Sequence, residues 1–114
     1  MKLGMCGIRG FGNCFAELFC LHPAVESFSI ADLDPAMRER AAGRYELAGA
    51  YETLDELLAT DIDAVAIFTP PWVHAEQSVQ ALETGKHVLS ACPAAVNLED
   101  LRRVVNAVEK SGCI

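Results

Sequence analysis

The chain has 114 residues, of which 52% are hydrophobic and 22% are charged, values typical of one folded domain. Its formal net charge is −7, which argues against nucleic-acid binding because that function needs basic residues to neutralise phosphates. No apolar run approaches the roughly 20 residues of a membrane-spanning helix. We therefore expect a cytoplasmic domain that binds neither nucleic acid nor a membrane.

The cysteine pattern gives a further expectation about metals and disulfides. The chain contains five cysteines, and no two of them form a Cys-x-x-Cys pair. An odd count without such pairs is not typical of a disulfide framework or of a zinc site. We expect free thiols at all five positions and no bound metal: Cys6, Cys14, Cys20, Cys92 and Cys113.

The first half of the chain alternates between short apolar runs and segments with helical spacing. Asp34 precedes Pro35, an order that favours a helix with Asp34 as its N-cap. The predicted elements are a strand over Leu3–Ile8, a helix over Asn13–Leu21, a strand over Phe28–Ala31, a helix from Asp34 to about Tyr45 and a short strand over Gly49–Tyr51.

The second half continues the alternation. Thr53 and Glu56 have the spacing of a capping box, which predicts a short helix to about Ala59. The last predicted helix begins at Asn97, ends at Gly112 and carries an apolar stripe of Leu98, Leu101, Val104, Val105 and Val108. Between them the predicted elements are a strand over Ala64–Phe68, a helix over Trp72–Thr84 and a strand over Val88–Ser90.

This order of elements predicts an α/β fold. The strands are apolar throughout, which is typical of a parallel sheet covered by helices on both faces. Right-handed crossovers then give a doubly wound, Rossmann-type sheet of order 3-2-1-4-5. Cys113 and Ile114 resemble the first residues of a sixth, truncated strand, so we expect one domain over 1–114.

A glycine-rich loop joins the first strand to the first helix. It reads Gly7-Ile8-Arg9-Gly10-Phe11-Gly12 and resembles the G-x-G-x-x-G fingerprint of dinucleotide-binding folds. Gly7 allows the tight turn, Gly12 allows the helix to pack closely, and the helix N-terminus faces the diphosphate. Arg9 replaces the middle glycine, although Gly10 supplies part of that freedom. Two outcomes stay open: the Arg9 side chain pairs with phosphate, or it obstructs the ligand.

Asp32 lies twenty residues after Gly12, at the end of the second strand. An acidic residue at this place accepts hydrogen bonds from the adenosine ribose and repels a 2′-phosphate. We therefore expect NAD as the cofactor in preference to NADP. The alternative is that Asp32 only caps the following helix, a role that we assign to Asp34.

A second candidate loop follows the fourth strand, where Thr69, Pro70 and Pro71 precede His74. Ligands of open α/β sheets bind at the carboxyl ends of the strands, so we include these residues in the cofactor site. For His74 the alternative is a surface or capping histidine, which is the commoner role of a histidine on a helix.

Three segments together resemble one known family. They are Asp61-Ile62-Asp63-Ala64-Val65, Thr69-Pro70-Pro71-x-x-His74-Ala75-Glu76 and Ala81-Leu82-Glu83-x-Gly85-Lys86-His87-Val88-Leu89, and they look like the glucose-fructose oxidoreductase / inositol dehydrogenase (Gfo/Idh/MocA) family. The resemblance implies the amino-terminal NAD(P)-binding half of a two-domain oxidoreductase that acts on sugars, polyols and related compounds. It also implies that the proline loop lies near the nicotinamide and its ribose.

The chain departs from this family in two ways. The family's usual Glu-Lys-Pro, whose lysine assists proton transfer, is Ala91-Cys92-Pro93 here, and a thiol does not replace an ammonium group. Cys92 would act as a nucleophile only with a lowered pKa and a nearby base, and the sequence shows neither. The family also continues into a substrate domain, whereas this chain stops at Ile114.

These departures limit the functional prediction. We expect a dinucleotide-binding oxidoreductase domain that is inactive as an isolated chain. The alternative is a non-catalytic nucleotide-binding or assembly module that retains the Rossmann fold. Homo-oligomerisation stays open, because removing a partner domain usually exposes apolar surface that must be covered.

Overall fold

A computed structural model describes residues 1–114. Its five strands form one parallel sheet of order β3-β2-β1-β4-β5, which confirms the predicted order. The strands are β1 (Lys2–Cys6), β2 (Ser27–Ala31), β3 (Gly49–Tyr51), β4 (Ala64–Ile67) and β5 (His87–Ser90). The helices are α1 (Phe11–Leu21), α2 (Pro35–Arg44), α3 (Leu54–Leu58), α4 (His74–Glu83) and α5 (Leu98–Ser111).

Both faces of the sheet are buried at its central strands, because alternate residues of each of these strands enter different cores. In β4, Ala64 and Ala66 join the core that contains residues of α1 and α2. Val65 and Ile67 join the core that contains residues of α3 and α4. The sheet therefore has a helical layer on each side, as its continuous apolar strands predicted. None of the helices is both long and apolar enough to cross a membrane.

The caps inferred from the sequence form as expected. An Asp34 carboxylate oxygen, Oδ1, accepts a hydrogen bond from the Ala36 backbone N–H at 2.9 Å. Thr53 and Glu56 form both hydrogen bonds of the capping box that begins α3. These local interactions are encoded within four residues of sequence, so they are predictable without knowledge of the packing.

Several element bounds differ from the prediction for local reasons. β1 ends at Cys6, two residues early, because Gly7 turns the chain with φ +86°. α1 begins at Phe11, two residues before the predicted start. Trp72 lies in a 3₁₀ turn over Pro71–Val73, and α4 begins only at His74.

The apolar stripe of α5 is not a buried face. Only Ala107 of this helix is buried, whereas Leu98 is 71% exposed and Val105 is 48% exposed. The helix packs against α4, and of the predicted stripe Val104 and Val108 are half-buried whereas Leu98, Leu101 and Val105 are exposed. Ile114 does not lie in a strand, but its carbonyl accepts a hydrogen bond from the Val88 N–H on the open edge of β5 at 2.8 Å.

Candidate functional site

A cavity of about 900 Å³ lies at the carboxyl ends of β1, β2 and β4. Its lining brings together residues from three of the predicted segments: Gly7 and Arg9, Asp32, and Thr69 and Pro70. Parallel strands end at the same edge of the sheet, so loops that are far apart in sequence meet there. A smaller cleft of about 530 Å³ lies between α4 and α5 and contains none of the predicted site residues.

The glycine loop leaves no room for side chains at two positions. A Cβ atom added at Gly12 would lie 2.4 Å from the Gly7 carbonyl oxygen. A Cβ atom added at Gly7 would lie 2.8 Å from the backbone of Phe68, and its φ of +86° disfavours other residues. α1 therefore packs directly against the turn that follows β1, as the sequence motif predicted.

This loop presents unpaired backbone donors to the solvent. The N–H groups of Arg9, Gly10 and Phe11 form no hydrogen bond with any other group of the chain. Gly10 caps α1 without a side-chain hydrogen bond, and the first turn carries no acidic residue. Consecutive N–H groups at a helix N-terminus favour an anion, so the loop is chemically suited to a diphosphate.

Asp32 ties the glycine loop to the turn after β2. Its carboxylate accepts one hydrogen bond from the Ile8 N–H and another from the Asp34 N–H, both at 3.0 Å. Each oxygen keeps further acceptor capacity, because an ionised carboxylate has about four lone-pair sites. Asp34, and not Asp32, caps α2, which confirms the capping role assigned to Asp34 from sequence.

Two arginines lie close to Asp32 and Asp34. Arg9 forms an ion pair with Asp34. Arg38 donates to the Asp32 backbone carbonyl at 2.6 Å, and another of its nitrogens lies 3.9 Å from Glu52. Sequence reasoning missed Arg38, since no motif marks it. The only available indication was a cation one helical turn after the Asp34 cap.

His74 lies inside the protein and not on the cavity wall. It is 1% exposed, and its Nε2 lies 2.6 Å from the Thr69 carbonyl oxygen. Its Nδ1 lies 2.8 Å from the Pro93 carbonyl oxygen. The ring thus links the loop after β4 to the segment after β5, and neither the surface nor the capping alternative describes it.

The remaining residues of the proline loop are less enclosed. Thr69 lines the cavity, and its hydroxyl lies 2.5 Å from the side-chain oxygen of Gln77 on α4. Pro70 and Pro71 are exposed, as is Phe11 in the glycine loop. Gln77 was also missed from sequence, although its place one helical turn after His74 puts it on the same side of α4.

The cysteines differ in their chemistry. Burial raises the pKa of the Cys6 thiol to about 12, and the nearby Asp32 carboxylate adds to the increase. Cys6 lines the cavity but is protonated at neutral pH, so it is not a nucleophile there. Cys92 is exposed. All five thiols are free, and no cluster of three metal-ligating side chains is present.

Comparison with known proteins agrees with this geometry. A family model described as "Oxidoreductase family, NAD-binding Rossmann fold" matches residues 1–114. The dTDP-3,4-didehydro-2,6-dideoxy-alpha-D-glucose 3-reductase of Saccharopolyspora spinosa is 31% identical over 115 residues, which cover 100% of this chain and 35% of the reductase. The scyllo-inositol 2-dehydrogenase (NADP(+)) IolU of Bacillus subtilis is 33% identical over 94 residues, which cover 79% of this chain and 29% of the dehydrogenase.

A solved structure gives the same result. The crystal structure of an NAD-binding protein from Listeria innocua has a TM-score of 0.88 and 31% identity to this chain. The match covers 98% of this chain and 33% of that protein. The chain therefore spans about a third of the length of these relatives.

We predict that His74→Leu destabilises the fold by about 2–4 kcal/mol, because it removes the buried ring that lies against the Thr69 and Pro93 carbonyls and leaves the carbonyl bonded to the ring N–H without its donor. Urea unfolding of the two proteins measures the change. Glu76→Gln, an exposed change on the same helix, serves as the control and stays within about 0.5 kcal/mol of wild type. A loss below 1 kcal/mol for His74→Leu would contradict the bridging role.

We also predict a specific alkaline destabilisation from Cys6. Its pKa is higher in the folded state, so its stabilising effect is complete below about pH 8.5 and is lost towards pH 12. In that window it contributes a slope of up to about 1.4 kcal/mol per pH unit. Cys6→Ala should flatten the fall in unfolding free energy between about pH 8.5 and 10.5, whereas the exposed Cys14→Ala should keep the wild-type slope. Equal slopes in Cys6→Ala and wild type would refute the assignment.

Proposed function

The chain belongs to the Gfo/Idh/MocA oxidoreductase family as an NAD-binding Rossmann domain, and on that premise we propose that it holds NAD(H) in the cavity at the carboxyl ends of β1, β2 and β4. The observation that carries this placement is the glycine loop. It combines the close approach of Gly12 to Gly7 with three consecutive unpaired N–H groups, and Gly7 and Arg9 of this loop line the cavity of about 900 Å³. Cavities of this size accommodate cofactors.

The diphosphate is proposed to lie on the N–H groups of Arg9, Gly10 and Phe11. Ile8 contributes differently, since its side chain is buried and its N–H already donates to Asp32. That hydrogen bond sets the loop at a fixed place relative to the proposed ribose site. The glycine loop therefore binds through backbone groups, which fits a motif whose defining feature is the absence of side chains.

We propose that NAD is preferred over NADP because of the charges at the ribose end. Asp32, Asp34 and Glu52 all line this part of the cavity. A 2′-phosphate would add charge beside three carboxylates, and like charges at close range repel. Names of relatives include both an NADP(+)-linked dehydrogenase and an NAD-binding protein, so the argument rests on this chain's own residues.

The proline loop is proposed to border the nicotinamide end. Thr69 and Pro70 line the cavity on the side of β4, and Pro71 continues the loop. We propose that His74 positions the proline loop and does not contact the cofactor, because its buried ring is hydrogen-bonded to the Thr69 carbonyl. The cofactor, when bound, supplies a hydride acceptor or donor, and the residues of this chain orient it and border it.

For the whole protein we propose an oxidoreductase that acts on a sugar, a polyol or a related compound. The named relatives include a dTDP-sugar reductase and an inositol dehydrogenase. Cys92, at the family's lysine position, is a free and exposed cysteine. We propose that groups outside residues 1–114 hold the substrate and move its proton. Turnover of a sugar or polyol by residues 1–114 alone would contradict this.

NADH titration tests the cofactor proposal. We predict saturable binding, with a rise in melting temperature of several degrees at NADH concentrations far above Kd. Gly12→Ala should weaken binding at least tenfold, because its Cβ would displace the Gly7 carbonyl. Gly43→Ala is the matched control, since a Cβ there meets nothing within 4 Å. No binding to wild type at millimolar NADH would refute the proposal.

Comparison of NADH with NADPH tests the role of Asp32. We predict at least tenfold tighter binding of NADH, which corresponds to about 1.4 kcal/mol. Asp32→Asn should reduce the ratio to about threefold or less by removing the nearest negative charge. Asp61→Asn makes the same charge change before β4, at the opposite edge of the sheet, and should leave the ratio unchanged. Equal affinities of wild type for the two cofactors would rule out this source of specificity.

A further inference from the structure

The cavity carries more negative than positive side chains, which is unusual for a site proposed to bind an anion. Arg9 is the only cationic side chain in its lining, against the carboxylates of Asp32, Asp34 and Glu52. A dinucleotide adds two negative charges through its diphosphate. The backbone N–H groups of the glycine loop carry only partial charges, so the one available cation has a large influence on binding.

Arg9 already has an anionic partner in the free protein. Arg9 extends from the glycine loop and forms an ion pair with Oδ2 of Asp34, whose other oxygen caps α2 through the Ala36 N–H. Arg9 is 64% exposed, and exposed ion pairs contribute little to stability. A guanidinium binds phosphate through short, charge-assisted hydrogen bonds. The pair is therefore easily exchanged for a stronger partner.

We propose that Arg9 changes partners when the dinucleotide binds. In the free protein it pairs with Asp34, and in the complex it turns to the diphosphate on the glycine loop. Asp34 thus competes with the ligand for Arg9 and keeps only its capping role in the complex. The inference rests on the proposed function, because it needs a diphosphate at this loop. Of the two alternatives for Arg9, the proposal chooses pairing with phosphate over obstruction of the ligand. It also makes Asp34 the residue that lowers the affinity for the dinucleotide.

Asp34→Asn tests the competition directly. The asparagine carbonyl can still accept from the Ala36 N–H, so the cap is preserved, whereas the charge that holds Arg9 is removed. We expect the Kd for NADH and for ADP to fall about three- to tenfold. Asp34→Ser, which also keeps a capping oxygen, should give the same direction of change. Arg9→Gln should raise both Kd values about tenfold, but should not change the Kd for adenosine, which lacks phosphate.

A general charge effect requires its own control. Glu52→Gln removes a carboxylate from the same cavity, but Glu52 faces Arg38 and not Arg9. Its gain in NADH affinity should be clearly smaller than that of Asp34→Asn. In an Arg9→Gln background, Asp34→Asn should gain no more than Glu52→Gln does. This double-mutant cycle isolates the coupling between Arg9 and Asp34.

The possible results separate the two hypotheses. If wild type binds NADH but Asp34→Asn gains no more than Glu52→Gln, or keeps its gain without Arg9, the exchange is wrong and the proposed function stands. Weaker binding by both Asp34→Asn and Asp34→Ser would likewise overturn the exchange. If neither wild type nor Asp34→Asn binds NADH or ADP at millimolar concentration, the proposed function fails and the exchange fails with it.

Discussion

α1 lies so close to the turn after β1 that no side chain fits between them. The 2.4 Å separation between a Cβ built at Gly12 and the Gly7 carbonyl oxygen fixes where the helix begins and which backbone groups it presents. The unpaired N–H groups of the glycine loop follow from that placement. Asp32 then fixes the loop against the turn after β2, so one steric constraint and one carboxylate define half of the cavity.

His74 fixes the loop on the β4 side of the cavity. Its ring joins the Thr69 carbonyl to the Pro93 carbonyl from a buried position. The loop after β4 and the segment after β5 are therefore connected through a side chain and not only through the sheet. His74 therefore fixes the position of the loop that contains Thr69, because hydrogen bonds from rigid elements reduce the motion of a loop. A cofactor in the cavity would be bordered by that loop.

Local and periodic features of this fold and the order of its strands were predictable from the sequence, whereas long-range side-chain pairings were not. The apolar strands and their alternation with helices gave the sheet order, and the caps at Asp34 and Thr53 depend on neighbouring residues only. The apolar stripe of α5, three of whose five residues are exposed, shows the limit, since periodicity marks an apolar face without indicating what covers it. The partners of Arg9 and His74 are 25 and 19 residues away along the chain, and no spacing rule predicts such pairs.

The central claim is that the dinucleotide lies at the carboxyl edge of the sheet, on the glycine loop. Backbone amide chemical shifts of ¹⁵N-labelled protein, followed during titration with NADH, locate the ligand most directly. The account predicts the largest changes at Gly10 and Phe11, with further changes at Asp32 and Thr69 and none at Lys86 on the opposite edge. Changes centred on the cleft between α4 and α5, at Asn106 and Lys110, would contradict it.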